Sequence, residues 1–194
     1  GLKGHLGALA HGQVTTGVIK IAGIGASALA ASALVGSKAT SVGGKVADLA
    51  LNTVLIAGTA NLANLLDLRP GRALKATVLV ATPLSYFSCA AAKPEASASA
   101  ASAQRLLASG LNAAAITALV EDLQETTMLG DTGANAAGAL LGTSLAASDS
   151  WKLRLGTTLC VVGLILASEK GSFSKVIPAN PALNWLDQLW RRPL

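Results

Sequence analysis

The sequence predicts an all-α, polytopic membrane helix bundle, and three observations carry that prediction. Only 13% of its 194 residues are charged, about half the share (roughly 25%) found in an ordinary soluble domain. The mean hydropathy is +0.54, and apolar stretches recur at lengths near the roughly 20 residues that cross a bilayer. Alanine makes up about a fifth of the chain and glycine adds 20 residues, a density of small side chains that lets helices approach closely in lipid. The same figures exclude other classes. A disordered chain would be charge-rich and apolar-poor. Aromatic residues, at 3%, are too few for a stacking platform for single-stranded nucleic acid. The basic pI of about 9.5 does not imply a duplex partner either, because the lysines and arginines are spread thinly and only Arg191 and Arg192 cluster; a nucleic-acid face is dense. Two cysteines, Cys89 and Cys160, cannot build a disulfide scaffold, and both are expected to be small buried hydrophobes.

Six apolar segments follow one another. The first runs from Thr16 to Val35, with Lys20 near its start able to snorkel to the interface. A Gly/Ser/Lys loop covers Gly36 to Gly44. The second runs from Lys45 to Leu66, and Pro70-Gly71 breaks the helix after it. The third covers Ala73 to Ala92, with a kink expected at Pro83. Lys93-Pro94-Glu95 and the alternating Ala/Ser run after it read as a loop. The fourth spans Ala103 to Val120 and leads into an acidic loop, Glu121 to Asp131. The fifth, Ala134 to Ala147, is short for a full crossing. Ser148 to Lys152 turns the chain, with Trp151 as an interface anchor, and the sixth spans Leu153 to Ala167. Residues 1–168 are thus read as the bundle and 169–194 as a polar cytoplasmic tail. The start at Gly1, without a signal-peptide pattern, is read as the C-terminal part of a longer protein.

Six spans put both ends on one side, together with the loops at Leu68–Leu74 and Glu121–Gly133. That side carries nine Lys and Arg and the other carries six. The bias points to a multi-pass protein of the cell membrane with its C-terminus in the cytoplasm. Polar residues gather on this same side. Asn61, Asn64 and Asp67 are three apart and form one stripe at the end of the second segment. Amides and carboxylates are costly against lipid and should face the bundle or a wet cavity. Arg69 and Arg72 follow, and paired guanidinium groups suit a phosphate-bearing ligand. Interhelical hydrogen bonding for the stripe and simple anchoring for the arginines are the alternative. The second group is Glu121, Asp122, Glu125 and then Leu129-Gly130-Asp131-Thr132-Gly133. A lone carboxylate between glycines before an apolar helix suits Mg²⁺ coordination; Asp131 or Thr132 acting only as a helix cap is the alternative. Gly138 and Gly142 form a small-xxx-small pair suited to helix packing. His5 and His11 read as solvated, and Asp48 as an interface residue.

These two groups resemble signatures of the polyprenyl-phosphate sugar-phosphate transferases, the family of phospho-N-acetylmuramoyl-pentapeptide transferase and the UDP-GlcNAc:undecaprenyl-phosphate transferases. That family carries Asn-x-x-Asn-x-x-Asp-Gly-x-Asp-Gly at a cytoplasmic helix end. Asn61, Asn64, Asp67 and Gly71 match it, and the second aspartate falls on Pro70. The family also carries Met-Gly-Asp-x-Gly-Ser before a helix, which Leu129-Gly130-Asp131-Thr132-Gly133-Ala134 matches closely. The resemblance covers residues 16 to 168. An Asp-Asp-x-x-Lys segment would lie before Gly1, and the family's histidine-rich loop is missing, since no histidine follows His11. The resemblance implies an integral membrane transferase for cell-envelope glycans such as peptidoglycan, with Asp131 and Asp67 catalytic and Mg²⁺ on Asp131. It also implies that Asn61, Asn64, Arg69 and Arg72 hold substrate. The implied partners are a polyprenyl phosphate in the membrane and a UDP-sugar, and a homodimer is compatible. The departures motivate a second expectation, a catalytically inactive member that binds lipid or aids assembly. A small transporter is the third, although no inverted repeat is visible.

Overall fold

The computed structural model describes residues 7, 10–87 and 96–191. Every regular element among them is helical. The order is α1 Thr16–Val35, α2 Val42–Leu66, α3 Arg72–Phe87, α4 Ala96–Leu123, α5 Gly130–Ala146, α6 Trp151–Lys170, α7 Phe173–Ala179 and α8 Pro181–Gln188. Local chemistry explains the starts. Hydroxyls of Thr15, Ser41 and Ser150 accept hydrogen bonds from the Val18, Gly44 and Leu153 N–H groups at 3.3, 3.1 and 3.3 Å, satisfying donors that a helix start leaves free. Gly36, at φ 76°, ends α1 in a conformation that costs glycine little.

Helix α2 is the hub, packed on α5, α1 and α6, while α3 and α4 pair with each other and α5 bridges to them. Small residues permit the tightest of these crossings. A Cβ on Gly138 would lie 2.7 Å from the Ala60 Cα, and one on Gly142 2.8 Å from the Ile56 Cα, so the small-xxx-small pair packs α5 against the α2 backbone. We expect Gly142→Val to separate these helices and to destabilise the bundle by roughly 1–3 kcal/mol, measured by thermal unfolding in detergent; an unshifted midpoint would show that the crossing is loose. Leu55, Ile56, Leu141 and Leu145 fill the small core beside these glycines.

Four helices are long and apolar enough to cross a membrane: α1, α2, the Ala101–Leu123 part of α4, and α6. In their most apolar windows only 11–28% of residues are buried inside the bundle. Leu34, Leu79, Leu106, Leu159 and Leu166 all point outward. Water would disfavour such a surface and lipid would not. Of the six spans expected, four are helices that meet this length and hydropathy among the described residues. Helix α5 has 17 residues, and Ser148 follows it closely.

Several finer expectations are corrected. The Ala/Ser run from residue 96 is the first part of α4 rather than a loop, since alanine favours helix over loop. Glu121 and Asp122 belong to the last turn of α4 and not to the loop after it. Cys160 is exposed on α6, because this thin bundle leaves much of each helix outward. The tail beyond Lys170 folds into α7 and α8, with Asn180 capping α8 through the Ala182 and Leu183 N–H groups. Cys89, Lys93-Pro94-Glu95, His5 and Arg192 lie outside the described residues.

Contacts sort the loops into two ends. Lys20–Asp131, Asp122–Gly71, Arg72–Asp187 and Arg191–Glu125 join one end. Lys38–Asp149 and Arg154–Asp48 join the other. Asp48, read from the sequence as an interface residue, lies at this second end and pairs there with the buried Arg154.

Candidate functional site

Both sequence signatures lie at the first of these ends. The stripe Asn61, Asn64 and Asp67 closes α2: the asparagines are half-buried, and Asp67 is the capping residue with 8% of its surface exposed. Opposite it stands the start of α5. The Asn135 amide lies 3.4 Å from Asn64 Oδ1 and also reaches the Asp131 carbonyl. The Gly130 N–H faces the Asp67 carboxylate. Residues about 70 positions apart in the chain therefore form one polar seam.

Asp131 lies in the first turn of α5. Its carboxylate is 75% exposed and pairs with the Lys20 ammonium at 2.9 Å. It does not act as the helix cap: the capping position is Leu129, which has no side-chain bond to offer. A carboxylate in a first turn is favoured by the helix dipole, and here it is also open to solvent and already holds a cation.

Burial pushes the Asp67 carboxyl up to about 6, with the negative charges of Asp122 and Asp131 adding to the effect and the Gly130 N–H opposing it. Its Oδ1 has no hydrogen-bond partner, and neither does Oδ1 of Asp122, both buried. The sign follows from the charged form being disfavoured in the fold. The penalty is absent below the ordinary carboxylate range, grows as pH rises through about 4 to 6, and is complete above. Infrared titration should show a protonated carboxyl band lost with a midpoint near 6 and missing from Asp67→Asn. A midpoint near 4 would mean that the seam is wet and uncrowded.

Asp122 stands in the sequence as one of several acidic residues without a distinct role. In the structure its Oδ2 accepts from the Gly71 N–H at 2.8 Å and holds the turn after α2, where Gly71 adopts φ 74°. A Cβ on Gly71 would also sit 3.2 Å from Lys75 Cε. The available signal was a carboxylate in the last turn of an apolar helix, where the dipole disfavours it unless a donor compensates. Asn135, one turn after Asp131, and Lys20 were likewise readable as residues but not as partners.

The two arginines separate. Arg69 is half-buried, and no ion pair involves it among the described residues. Arg72 is buried and gives its fork to Asp187 of α8, with Nε–Oδ1 at 2.7 Å and Nη2–Oδ2 at 2.9 Å. Arg69 is thus the available phosphate-binding candidate, and Arg72 is engaged within the protein.

No three His, Cys, Asp or Glu residues converge as a metal cage among the described residues. Mg²⁺ does not require one: it commonly takes one or two carboxylates, with water and substrate phosphates completing its shell. The oxygen donors fit such a half-site. Asp131 presents an exposed carboxylate whose present counter-ion is Lys20, and Asp67 brings an unpartnered oxygen nearby.

Beside the seam, a groove of about 400 Å³ runs between α1, α2 and α5. Lys20 and Asn135 stand at its polar end, and Ile24, Ala31, Ile56 and Ala139 line the apolar remainder. Comparison with family models, with curated proteins and with solved structures finds no match to this chain.

Proposed function

We propose that this protein is an integral membrane transferase that moves a sugar phosphate from a UDP-sugar to a polyprenyl phosphate, as the resemblance of its two signatures implies. The observation that carries the reading is the seam itself: Asn64 and Asp67 meet Gly130 and Asn135 at one end of an apolar bundle. In the reaction, a lipid phosphate oxygen forms a bond to the β-phosphorus. The bond from that phosphorus to the bridging oxygen breaks, and UMP leaves. Two anions must be held together and their charge offset. Arg69 and Lys20 supply positive charge, Asn61 and Asn64 supply amides for orientation, and the groove behind Lys20 accepts an apolar chain. Asp131, with Asp67, would hold Mg²⁺. That ion, when bound, supplies Lewis acidity and a template for the diphosphate. The lysine and arginine excess on this end supports a cytoplasmic site.

Asp131→Asn in the full-length protein is expected to lower Mg²⁺-dependent UMP release on the order of 10²-fold or more. Unchanged release would remove Asp131 from the chemistry. One observation favours a second reading, lipid binding without turnover: Lys20 already neutralises Asp131. Under that reading polyprenyl phosphate binds to the wild type and no UMP appears.

A further inference from the structure

Helix α8 is amphipathic in the sense opposite to a helix that packs on a soluble protein. Its polar Asp187 faces inward, 5% exposed, and is locked to Arg72. Its large apolar side chains face out: Trp185 is 64% exposed, and Leu183 and Leu186 are 43% and 47% exposed. Trp190, just past the helix, is 73% exposed. Lys75 fixes the same segment by donating to the Leu186 and Asp187 carbonyls at 3.1 and 2.7 Å. The tail is therefore held in place with its apolar face uncovered, an arrangement that water disfavours.

The position of α8 identifies what covers that face. The tail follows directly on α6, a helix long and apolar enough to cross a membrane, which ends at Lys170. Leu183, Leu186 and Trp190 share an apolar groove of about 370 Å³ with Val78, Leu79 and Leu119, residues on the outer faces of α3 and α4. The apolar surface of the tail thus continues the surface that the bundle presents to lipid. Tryptophan is the residue most suited to the headgroup level, with a ring for the acyl boundary and an N–H for water. Lys170 at the end of α6 and Lys175 in α7 are exposed, and lysines near a membrane surface attract anionic headgroups.

We propose that α7 and α8 form an interfacial foot that lies in the plane of the membrane, with Trp185, Trp190, Leu183 and Leu186 in the acyl boundary and Lys170 and Lys175 on anionic lipid phosphates. The proposal is independent of the transferase reading.

The test uses the full chain in phosphatidylcholine vesicles, with and without phosphatidylglycerol, and carries Trp151→Phe and Trp190→Phe so that Trp185 reports alone. Expected is a blue-shifted Trp185 emission, a clear loss of intensity when the lipid carries bromine on a shallow acyl carbon, and little quenching by aqueous iodide. Charge reversal at Lys170→Glu and Lys175→Glu should weaken the bromolipid quenching in vesicles containing phosphatidylglycerol and leave it unchanged in phosphatidylcholine alone. Quenching by iodide but not by bromolipid would overturn the foot. Protection from both quenchers would also overturn it and assign the face to a protein partner, including a second copy of this chain. Quenching by bromolipid that ignores charge reversal in both vesicles would overturn the anionic-lipid assignment.

Discussion

Arg154→Ala is expected to destabilise the bundle by about 3–5 kcal/mol, the usual cost of stripping one partner from a buried pair. Arg154 is 2% exposed and ties three segments at the end opposite the candidate site. Its Nη2 meets Asp48 Oδ1 at 3.0 Å and its Nη1 donates to Asn52 Oδ1 at 3.0 Å. The other oxygen of Asp48 accepts from the Ser37 hydroxyl at 2.7 Å and the Lys38 N–H at 3.1 Å. Removing the guanidinium leaves Asp48 and Asn52 half-satisfied against an apolar interior, where no water replaces it at low cost. Arg154→Lys should recover only part of the loss, because one ammonium cannot reproduce two directed contacts. Chemical unfolding in detergent measures both variants, and a double-mutant cycle with Asp48→Asn isolates the pair. A loss below about 1 kcal/mol, the range of exposed pairs, would show that this end is open to water.

Asp187→Ala is the counterpart at the other end, with a different expected readout. The pair with Arg72 is bidentate and buried on both sides, with side-chain exposures of 5% and 2%. The Arg72 Nη1 already lacks a partner, so loss of the carboxylate would strand the whole guanidinium. The cost is again about 3–5 kcal/mol, but it falls on docking of α8 rather than on the α2–α5 core. Trypsin should then cut at Lys170 and Lys175 much faster, while the main unfolding transition shifts little. Acid should act in the same direction. Burial alone would raise the Asp187 carboxyl, but the hydrogen bonds and charge of Arg72 outweigh it, helped by Arg191 and Lys75, and hold it below the ordinary carboxylate value. A depressed value contributes stability that is present above the ordinary carboxylate range and is lost as pH falls through the lowered one. Unchanged protease protection in Asp187→Ala would contradict the latch.

These two pairs mark where sequence reading stops. Thr16–Val35 is legible to the residue because its signals are local: Thr15 in front, an unbroken apolar run, and Gly36 behind. The polar stripe and the Gly130-Asp131 turn are legible for the same reason, and the order of the apolar segments puts both at one end. Arg72 and Asp187 lie 115 residues apart, and nothing local distinguishes an arginine awaiting phosphate from one satisfied by a distant carboxylate. Asp122 illustrates the same limit, since its value depends on a glycine N–H 51 residues away. The Ala/Ser run after Glu95 fails for another reason: low complexity suggests a loop, while the intrinsic preference of alanine is helical. In the tail, Asp187 points inward while Trp185 and Trp190 point outward, and composition does not encode that arrangement.

The central claim is that the end of α2 and the start of α5 form one ligand site. Isothermal titration of UDP into the full-length protein, with and without Mg²⁺, tests it most directly when Asn64→Ala and Asp131→Asn are compared with the wild type. The account predicts Mg²⁺-dependent binding that each single change weakens roughly tenfold or more, as loss of a bond to a charged ligand does. Binding that is indifferent to Mg²⁺, or that survives either change, would contradict it.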